Sequence, residues 1–341
     1  MFAEEMGSTG APEIDAVVTW VDGDDPAHRA KLIRYLATLG RTPAAAKPTR
    51  FRSVGEIDCC ITSLLKFAPF LRRIHVITDA QTPPIVARSR AWPKTMRDKL
   101  ALVDHHQVFA GLEDCLPTFN SLAIESVMFR TPGLAEQFVY LNDDFFLIKP
   151  VQPEDWFRDG LPVVRGSWQP LPERAAARRV LRGLRHRLLE LAGVPPRASH
   201  GDAQARAARL AGSNTRYLVL GHHPHALRRS TFERFFAEHA QLLRANVEPR
   251  LRSAGQFLPQ GLASQLELMA GTAHLETNGR VFYLKPSRLS PQRLEATMNA
   301  AEKDPHKLFA CVQSLDETAP LVQRQVLAWF DHVIGRLEVD R

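Results

Sequence analysis

The stretch IDAVVTWV, residues 14–21, is an apolar, β-branched run that predicts a buried strand, and DGDDP follows it as a turn. Pro26 can open the next helix, because proline suits the first helical turn. Two similar runs, RIHVITD (73–79) and KLALVDH (99–105), come later in the chain. Segments with helical spacing, such as 53–67, alternate with these strands. This order predicts an α/β fold with a mostly parallel sheet.

A fourth run, QFVYLNDDFFLIK (137–149), predicts a strand that an acidic turn interrupts. Its polar residues, Asn142–Asp144, are costly in a central strand unless they bind something. Asp22, Asp79 and Asp104 also follow strands, and ligands bind outside the carboxyl ends of strands in open α/β sheets. We therefore expect a cleft at this edge, although Asp79 and Asp104 taken singly are better interpreted as residues that initiate turns.

The composition is ordinary for a globular protein, with 45% hydrophobic and 24% charged residues among 341. This length predicts about two domains, or one large α/β domain with insertions. The net charge of +7 indicates an anionic partner, such as a nucleotide, a phosphate polymer or a lipid surface. The sequence has four cysteines without a CxxC pair, no apolar run of about 18–20 residues and no leader-like apolar stretch. These features predict a soluble, cytoplasmic protein.

The segment 172–210 is rich in arginine and contains an amphipathic stretch near 178–191. One interpretation is a solvated basic face above a core-facing stripe, and the other is peripheral docking to an anionic membrane surface. The arginines are not interleaved with aromatic residues, which argues against a nucleic-acid groove. Farther along, Ser230 and Glu233 have the spacing of a capping box and predict a helix to about Leu243.

The carboxylates of Asp143 and Asp144 have the chemistry of a metal or proton-transfer site. They can hold Mg²⁺ or Mn²⁺ against a diphosphate, or accept a proton from an attacking hydroxyl. The sequence contains no GxxxxGK[ST], GxGxxG or GxSxG motif. A P-loop kinase, a standard dinucleotide oxidoreductase and a serine hydrolase therefore lack their usual signatures.

Histidines and arginines supply further candidate groups. The segment GHHPHAL (221–227) has too few Cys/His ligands for a structural zinc site, which leaves an acid/base or phosphate-contacting role, or a His-rich surface loop. A guanidinium can bind two phosphate oxygens at once. The side chains concerned are His222, His223, His225, Arg50, Arg52 and Arg252.

Several segments, in order, resemble the Stealth family, which includes bacterial capsular and exopolysaccharide phosphotransferases and the catalytic part of the lysosomal-enzyme GlcNAc-1-phosphotransferase. The second block is long and specific, and the fourth is weaker. The matching segments are IDAVVTWVDGDDP (14–26), the block from RFRSVGEID to TDAQTP (50–83) with 103–109, 116–126 and 134–157, then GHHPHALRRSTFERFF through LRSAGQF (221–257), and KLFACVQSLDE (307–317).

The resemblance implies an enzyme that moves a sugar-1-phosphate from a UDP-sugar to a glycan hydroxyl and releases UMP, in capsule or exopolysaccharide synthesis. It implies a Rossmann-like or nucleotide-diphospho-sugar transferase-like fold. Residues 14–157 would form the nucleotide-sugar-binding half, and 158–341 a mostly helical half whose basic insertion, 172–210, closes the cleft. The implied partners are the UDP-sugar and an anionic glycan acceptor, with peripheral contact at the inner membrane face and no nucleic acid.

The resemblance also implies the site residues. Mg²⁺ or Mn²⁺ would be held by Asp143 and Asp144, and either Asp144 or His225 would be the base that deprotonates the acceptor. Arg252 would clamp phosphate. The substrate-binding residues would be Asp22, Gly23, Arg50, Arg52, Glu56, Asn120, Ser121, Asn142 and His222.

The sequence departs from the family pattern at two places. Asp58 and Thr62 replace basic residues, and the fourth block has Cys311-Val312-Gln313-Ser314 where Cys-x-Asn-Asp is usual, so that Asp316 is left as the nearby carboxylate. Two alternatives stay open at this point. One is a conventional metal-dependent glycosyltransferase that releases UDP, and the other is a non-catalytic relative that binds sugar nucleotides or polysaccharide.

Overall fold

The structure is a computed structural model that describes residues 12–40, 43, 46, 53–172, 199–337 and 339. Arg50, Arg52 and residues 173–198 of the basic segment lie outside these ranges. The strands are β1 (Ile14–Thr19), β2 (Ile74–Thr78), β3 (Leu100–Asp104), β4 (Gln137–Asn142), β5 (Phe145–Leu147), β6 (Phe157–Arg158), β7 (Leu161–Pro170), β8 (Arg216–Leu220), β9 (His225–Arg228), β10 (His274–Glu276), β11 (Val281–Leu284) and β12 (Phe309–Val312).

The α-helices alternate with these strands and are joined to them by turns and short 3₁₀ segments. They are α1 (Pro26–Leu39), α2 (Glu56–Phe67), α3 (Pro84–Arg88), α4 (Lys94–Arg97), α5 (His105–Val108), α6 (Ser121–Val127), α7 (His200–Leu210), α8 (Arg229–Glu238), α9 (Ala240–Val247), α10 (Pro259–Met269), α11 (Pro291–Lys303) and α12 (Pro320–Val333).

The central sheet has the order β3-β2-β1-β4-β9. The first four strands are parallel, and β9 pairs with β4 in the antiparallel direction. Side chains alternate between two apolar clusters, so that Val18 packs on one face of the sheet and Val17 on the other. Burial on both faces explains why β1 is apolar almost throughout. The predicted mostly parallel α/β sheet is confirmed.

The acidic turn joins two sheets. After β4 ends at Asn142, the chain turns at Asp143 and Asp144, and β5 leaves the central sheet. There β5 pairs with β12, which in turn pairs with β11. Because the two carboxylates lie in this turn, they need not take the opposite faces that adjacent residues within a strand would have.

A third sheet has the order β10-β7-β6, and β8 pairs with β7. Helix α7 packs on β8 and α10. From β8 the chain passes through His222 and His223 into β9, which lies at the edge of the central sheet. Residues from the second half of the chain therefore complete the sheet that the first half begins.

A buried charge fixes the amino end of the central sheet. Asp15 of β1 is fully buried and accepts hydrogen bonds from Arg72 Nε at 2.9 Å, from Arg72 Nη2 at 2.6 Å and from Ala135 N at 2.9 Å. Its Oδ2 also lies 3.1 Å from His75 Nε2. Burial alone would raise the pKa of Asp15, but these partners hold it well below its usual range. The cluster lies at the end of the sheet away from Asp143 and Asp144.

The predicted capping box at Ser230 is wrong. Helix α8 begins at Arg229, and the Ser230 hydroxyl donates to Glu136 Oε1 at 2.5 Å, while Glu233 pairs with Arg229. The predicted helix is also divided, because α8 ends at Glu238 and α9 starts at Ala240. Within the part of the chain that the structure describes, no helix has the length and apolar character needed to cross a bilayer.

Candidate active site

A cavity of about 540 Å³ lies at the carboxyl ends of β1 and β4. Thr19, Trp20 and Val21 line it at the end of β1, and Asn142–Asp144 line it after β4. The other walls come from the start of α6, the start of α7, the segment 252–260 and the turn after β12. A volume of roughly 300–1,000 Å³ is typical of small-ligand sites. The expected cleft at this edge of the sheet is therefore present.

Carboxylates crowd one wall of the cavity. Burial raises the pKa of Asp143 well above its usual range, and the charges on Asp144 and Glu56 raise it further. Burial and the Glu56 charge raise the pKa of Asp144 to about 7. Asp316 lies on the same wall and raises the pKa of Glu56, which burial already raises. These oxygens repel one another, so a bound cation or proton would stabilise the wall.

The carboxylates of this wall are suitable ligands for Mg²⁺ or Mn²⁺, which favour oxygen donors. Among the described residues, no group of three or more His, Cys, Asp or Glu side chains could hold a metal ion by itself. Mg²⁺ often takes one or two carboxylates from a protein and its remaining ligands from substrate phosphates and water. Asp143 and Asp144 fit that pattern.

Arg252 lies across the cavity in a second cluster. Its Nη2 donates to Ser121 Oγ at 2.6 Å, and its charge lowers the pKa of Asp144 and Glu125 against the rise that burial causes. Of the described residues that line the cavity, Arg252 is the one with a guanidinium. A guanidinium in this position can bind an anionic group that enters the cavity.

Glu125 is a buried acid that the sequence analysis missed. It lies on α6 with 2% of its surface exposed, lines the cavity, and has an Oε2 atom without a hydrogen-bond partner. Its Oε1 is 3.1 Å from the Tyr140 hydroxyl, which is 2.7 Å from Asn142 Oδ1. Burial raises the pKa of Glu125. A detectable signal was the single acid in the helix segment SLAIESV, whose other residues are apolar or serine.

Two of the three neighbouring histidines face the cavity. His225 begins β9 beside Tyr140 and is 6% exposed. Burial and the adjacent histidines lower its pKa well below the usual value, so its imidazole is neutral near pH 7. Burial and Arg252 also lower the pKa of His222. The two ring nitrogens of His223 instead lie 2.8 Å from Pro224 O and 3.1 Å from Arg165 O. These backbone contacts give His223 a structural role.

Several residues to which the resemblance assigns substrate binding either lie outside the cavity or form hydrogen bonds within the protein. Asp22 and Gly23 do not line the cavity, and Asp22 Oδ1 accepts from Asp24 N at 2.9 Å. Asn120 lines it but caps α6, since its Oδ1 accepts from Leu122 N, and its Nδ2 donates to Pro249 O. Asn142 accepts from Tyr140. The positions of Arg50 and Arg52 are outside the described residues.

The carboxylates at the carboxyl ends of β2 and β3 stabilise local structure. Asp104 caps α5 and accepts from Ala80 N at 2.8 Å. Asp79 Oδ1 accepts from Lys31 Nζ at 2.7 Å, and its Oδ2 is 3.1 Å from Nδ1 of His28. His28 itself lines the cavity, which the sequence analysis did not anticipate. A lone histidine in α1 gave no pattern by which to find it.

Comparison with known proteins identifies related sequences. Residues 12–40 match Stealth protein CR1, conserved region 1, and residues 50–163 match Stealth protein CR2, conserved region 2. The capsular polysaccharide phosphotransferase WcwK of Streptococcus pneumoniae is 38% identical over 165 residues, which are 48% of this chain and 47% of that protein. An exopolysaccharide phosphotransferase of Streptomyces coelicolor is 33% identical over 288 residues, which are 81% of this chain and 43% of that protein. The chain thus spans less than half the length of these two relatives.

A solved structure resembles the whole chain more distantly. The galactosyltransferase LgtC, in complex with donor and acceptor sugar analogs, aligns over 95% of this chain and 96% of its own. The sequence identity is 13% and the TM-score is 0.44. A likeness at this level supports no statement about the reaction.

Proposed function

Because this chain belongs to the Stealth family, we propose that it transfers a sugar-1-phosphate from a UDP-sugar to a hydroxyl of an anionic glycan, with release of UMP. The observation that carries the proposal is the content of one cavity: the Asp143–Asp144 pair, the guanidinium of Arg252 and the neutral imidazole of His225 all line it. The choice of donor rests on the family.

The proposed reaction is a phosphoryl transfer in which His225 and Arg252 have separate roles. The acceptor oxygen forms a bond to the β-phosphorus of the donor, and the bond from that phosphorus to the bridging oxygen breaks. His225 takes the hydroxyl proton: its imidazole is neutral, so a ring nitrogen can accept a proton, and the negative phosphates of the bound donor would stabilise the imidazolium that results. Arg252 stabilises the negative charge on the phosphates as UMP leaves.

Asp143 and Asp144 are assigned to the metal rather than to proton transfer. Their mutual repulsion favours a bound cation, and this leaves His225 as the base. When bound there, Mg²⁺ or Mn²⁺ would supply positive charge that neutralises the diphosphate. Asp316 and Glu56 add to the negative potential of the same wall, so Asp316 serves where the family's fourth block usually has its own carboxylate.

Nucleotide release tests the proposal. The protein is incubated with UDP-GlcNAc or other UDP-hexoses, Mg²⁺ or Mn²⁺, and a short phosphoglycan acceptor, and UMP and UDP are quantified. Acceptor-dependent UMP is expected, because attack at the β-phosphorus leaves only the α-phosphate on uridine. Release of UDP would contradict the proposal and establish a conventional glycosyltransferase.

A pair of matched variants tests the site. Asp144→Asn is expected to reduce UMP release by at least about 100-fold, the scale for removing one charge-stabilising group. Asp104→Asn is the control, because Asp104 also lies at the carboxyl end of a strand of the central sheet but does not line the cavity. Near-normal UMP release by a folded Asp144→Asn protein would show that this carboxylate has no essential part.

A further inference from the structure

Three rings stack in a row at the edge of the cavity: His200, His222 and Tyr283, which we call the aromatic shelf. The ring centroids of His200 and His222 are 5.4 Å apart with 22° between the planes, and those of His222 and Tyr283 are 5.6 Å apart with 27°. His200 and His222 line the cavity, and Tyr283 is 47% exposed. The shelf therefore extends from the cavity to the surface.

The shelf adjoins the acidic turn. Tyr283 of β11 is the register partner of Cys311 of β12, so both side chains lie on the same face of that sheet. The Cys311 thiol donates to Asp144 Oδ2 over 3.8 Å. The Tyr283 hydroxyl donates to Gln313 Oε1 at 2.6 Å, and Gln313 lines the cavity. A molecule lying on the shelf would have one end close to Asp144.

Positive charge lies beside the shelf. Arg288 ends the short 3₁₀ segment Pro286–Arg288 that follows β11, the strand that carries Tyr283. Its guanidinium opposes the rise that burial causes in the pKa of Tyr283. Arg288 is exposed, and no carboxylate of the described residues forms an ion pair with it. An exposed guanidinium next to an aromatic surface suits a ligand that has both an apolar face and a negative charge.

We propose that the aromatic shelf and Arg288 form the acceptor subsite, which holds a sugar ring next to a phosphodiester that the glycan already carries. The C–H face of a pyranose would pack on the exposed side of Tyr283 at the outer end of the shelf, and its hydroxyls would reach polar atoms at the rim, such as those of Gln313. This inference rests on the proposed function, whose product contains the same phosphodiester. The shelf would thus favour a glycan that the reaction has already extended over an unmodified one.

Binding measured without turnover tests the subsite. The probes are a synthetic N-acetylhexosamine trisaccharide with one internal phosphodiester, the same trisaccharide without it, and UDP-GlcNAc. Tyr283→Ala is expected to weaken both trisaccharides about tenfold, the upper range for an aromatic contact, and Tyr283→Phe by no more than about twofold. Arg288→Gln should weaken the phosphodiester probe alone, by about threefold to fivefold. UDP-GlcNAc binding should stay unchanged in all three.

The control is Arg293→Gln, which removes another exposed arginine, on α11, and should change none of the three affinities. Full affinity of Tyr283→Ala for both trisaccharides would overturn the subsite, and so would an equal loss for UDP-GlcNAc. Equal weakening of the two trisaccharides by Arg288→Gln would overturn the phosphodiester contact. Because these affinities do not depend on catalysis, absence of UMP would overturn the proposed function and leave the subsite standing.

Discussion

Replacing Arg252 with alanine should remove a group that stabilises the transition state of the proposed transfer. The guanidinium is exposed to the cavity, where it would meet phosphate oxygens whose charge grows as UMP leaves. Removing one such charge-stabilising donor typically lowers the rate by about 100-fold to 1,000-fold. We therefore expect kcat/KM for the UDP-sugar to fall by this amount in Arg252→Ala. Arg252→Lys should recover part of the loss, because lysine keeps the positive charge but cannot form the bidentate hydrogen bonds of a guanidinium.

The bond between Arg252 and Ser121 allows a stricter test. Ser121 Oγ accepts from Arg252 Nη2 at 2.6 Å and so fixes the direction of the guanidinium. At an exposed position this hydrogen bond is worth about 1 kcal/mol, or about fivefold in rate. Ser121→Ala should cost that factor in the wild type and almost nothing in Arg252→Ala, because the serine acts through the arginine.

The assay is acceptor-dependent UMP release by the two single variants, the double variant and a control. Arg250→Ala is the control: Arg250 lies two residues away, its guanidinium carbon is 5.6 Å from the centroid of the Tyr35 ring, and it does not line the cavity. It should keep wild-type kcat/KM. Additive losses in the double variant, or a loss of less than about tenfold in Arg252→Ala, would refute the assignment of a phosphate clamp.

Three further predictions concern stability in urea. Asp15→Asn should lower the free energy of unfolding by about 3–5 kcal/mol, because it leaves Arg72 and His75 without the carboxylate that they contact, whereas the exposed Asp98→Asn should cost far less; equal costs would contradict this. Glu125 has a raised pKa, so the wild type loses stability as pH rises above about 4.5, and Glu125→Gln should remove that loss; an unchanged difference between pH 5 and pH 8 would count against it. Burial lowers the pKa of His105 to about 4, so the unfolded chain takes up its proton first as pH falls below about 6.5. His105→Gln should therefore reduce acid destabilisation by about 3 kcal/mol at pH 4, and a pH profile that matches the wild type would contradict the prediction.

Local patterns predicted the elements of the fold well. Helix α1 begins at Pro26, as that proline indicated, and β1 ends two residues before the predicted limit of 21. These elements depend on periodicity within a few residues, which the sequence displays directly. The acidic turn after β4 was also recognisable, because Asn142–Asp144 interrupt an apolar strand.

Long-range contacts were not accessible in the same way. No local signal pairs β9 with β4, yet that pairing brings His225 next to Tyr140. Ser230 matched a capping motif, but its hydroxyl instead donates a hydrogen bond to Glu136, which is distant in sequence. Glu125 is the single acid of its helix segment, but no residue near it in sequence shows that it faces the cavity. Tertiary packing decides which groups a polar side chain contacts, and a local sequence motif does not specify those partners.

The position of β9 has a consequence for the order in which the chain can fold during synthesis. Until residue 228 has left the ribosome, one edge of β4 has unpaired backbone groups. The partner of β5, which is β12, is synthesised later still. Unpaired edges of apolar strands recruit other chains. A fragment that stops at residue 157 would therefore be prone to aggregation, and the acidic turn would acquire its final surroundings only after β12 has been synthesised.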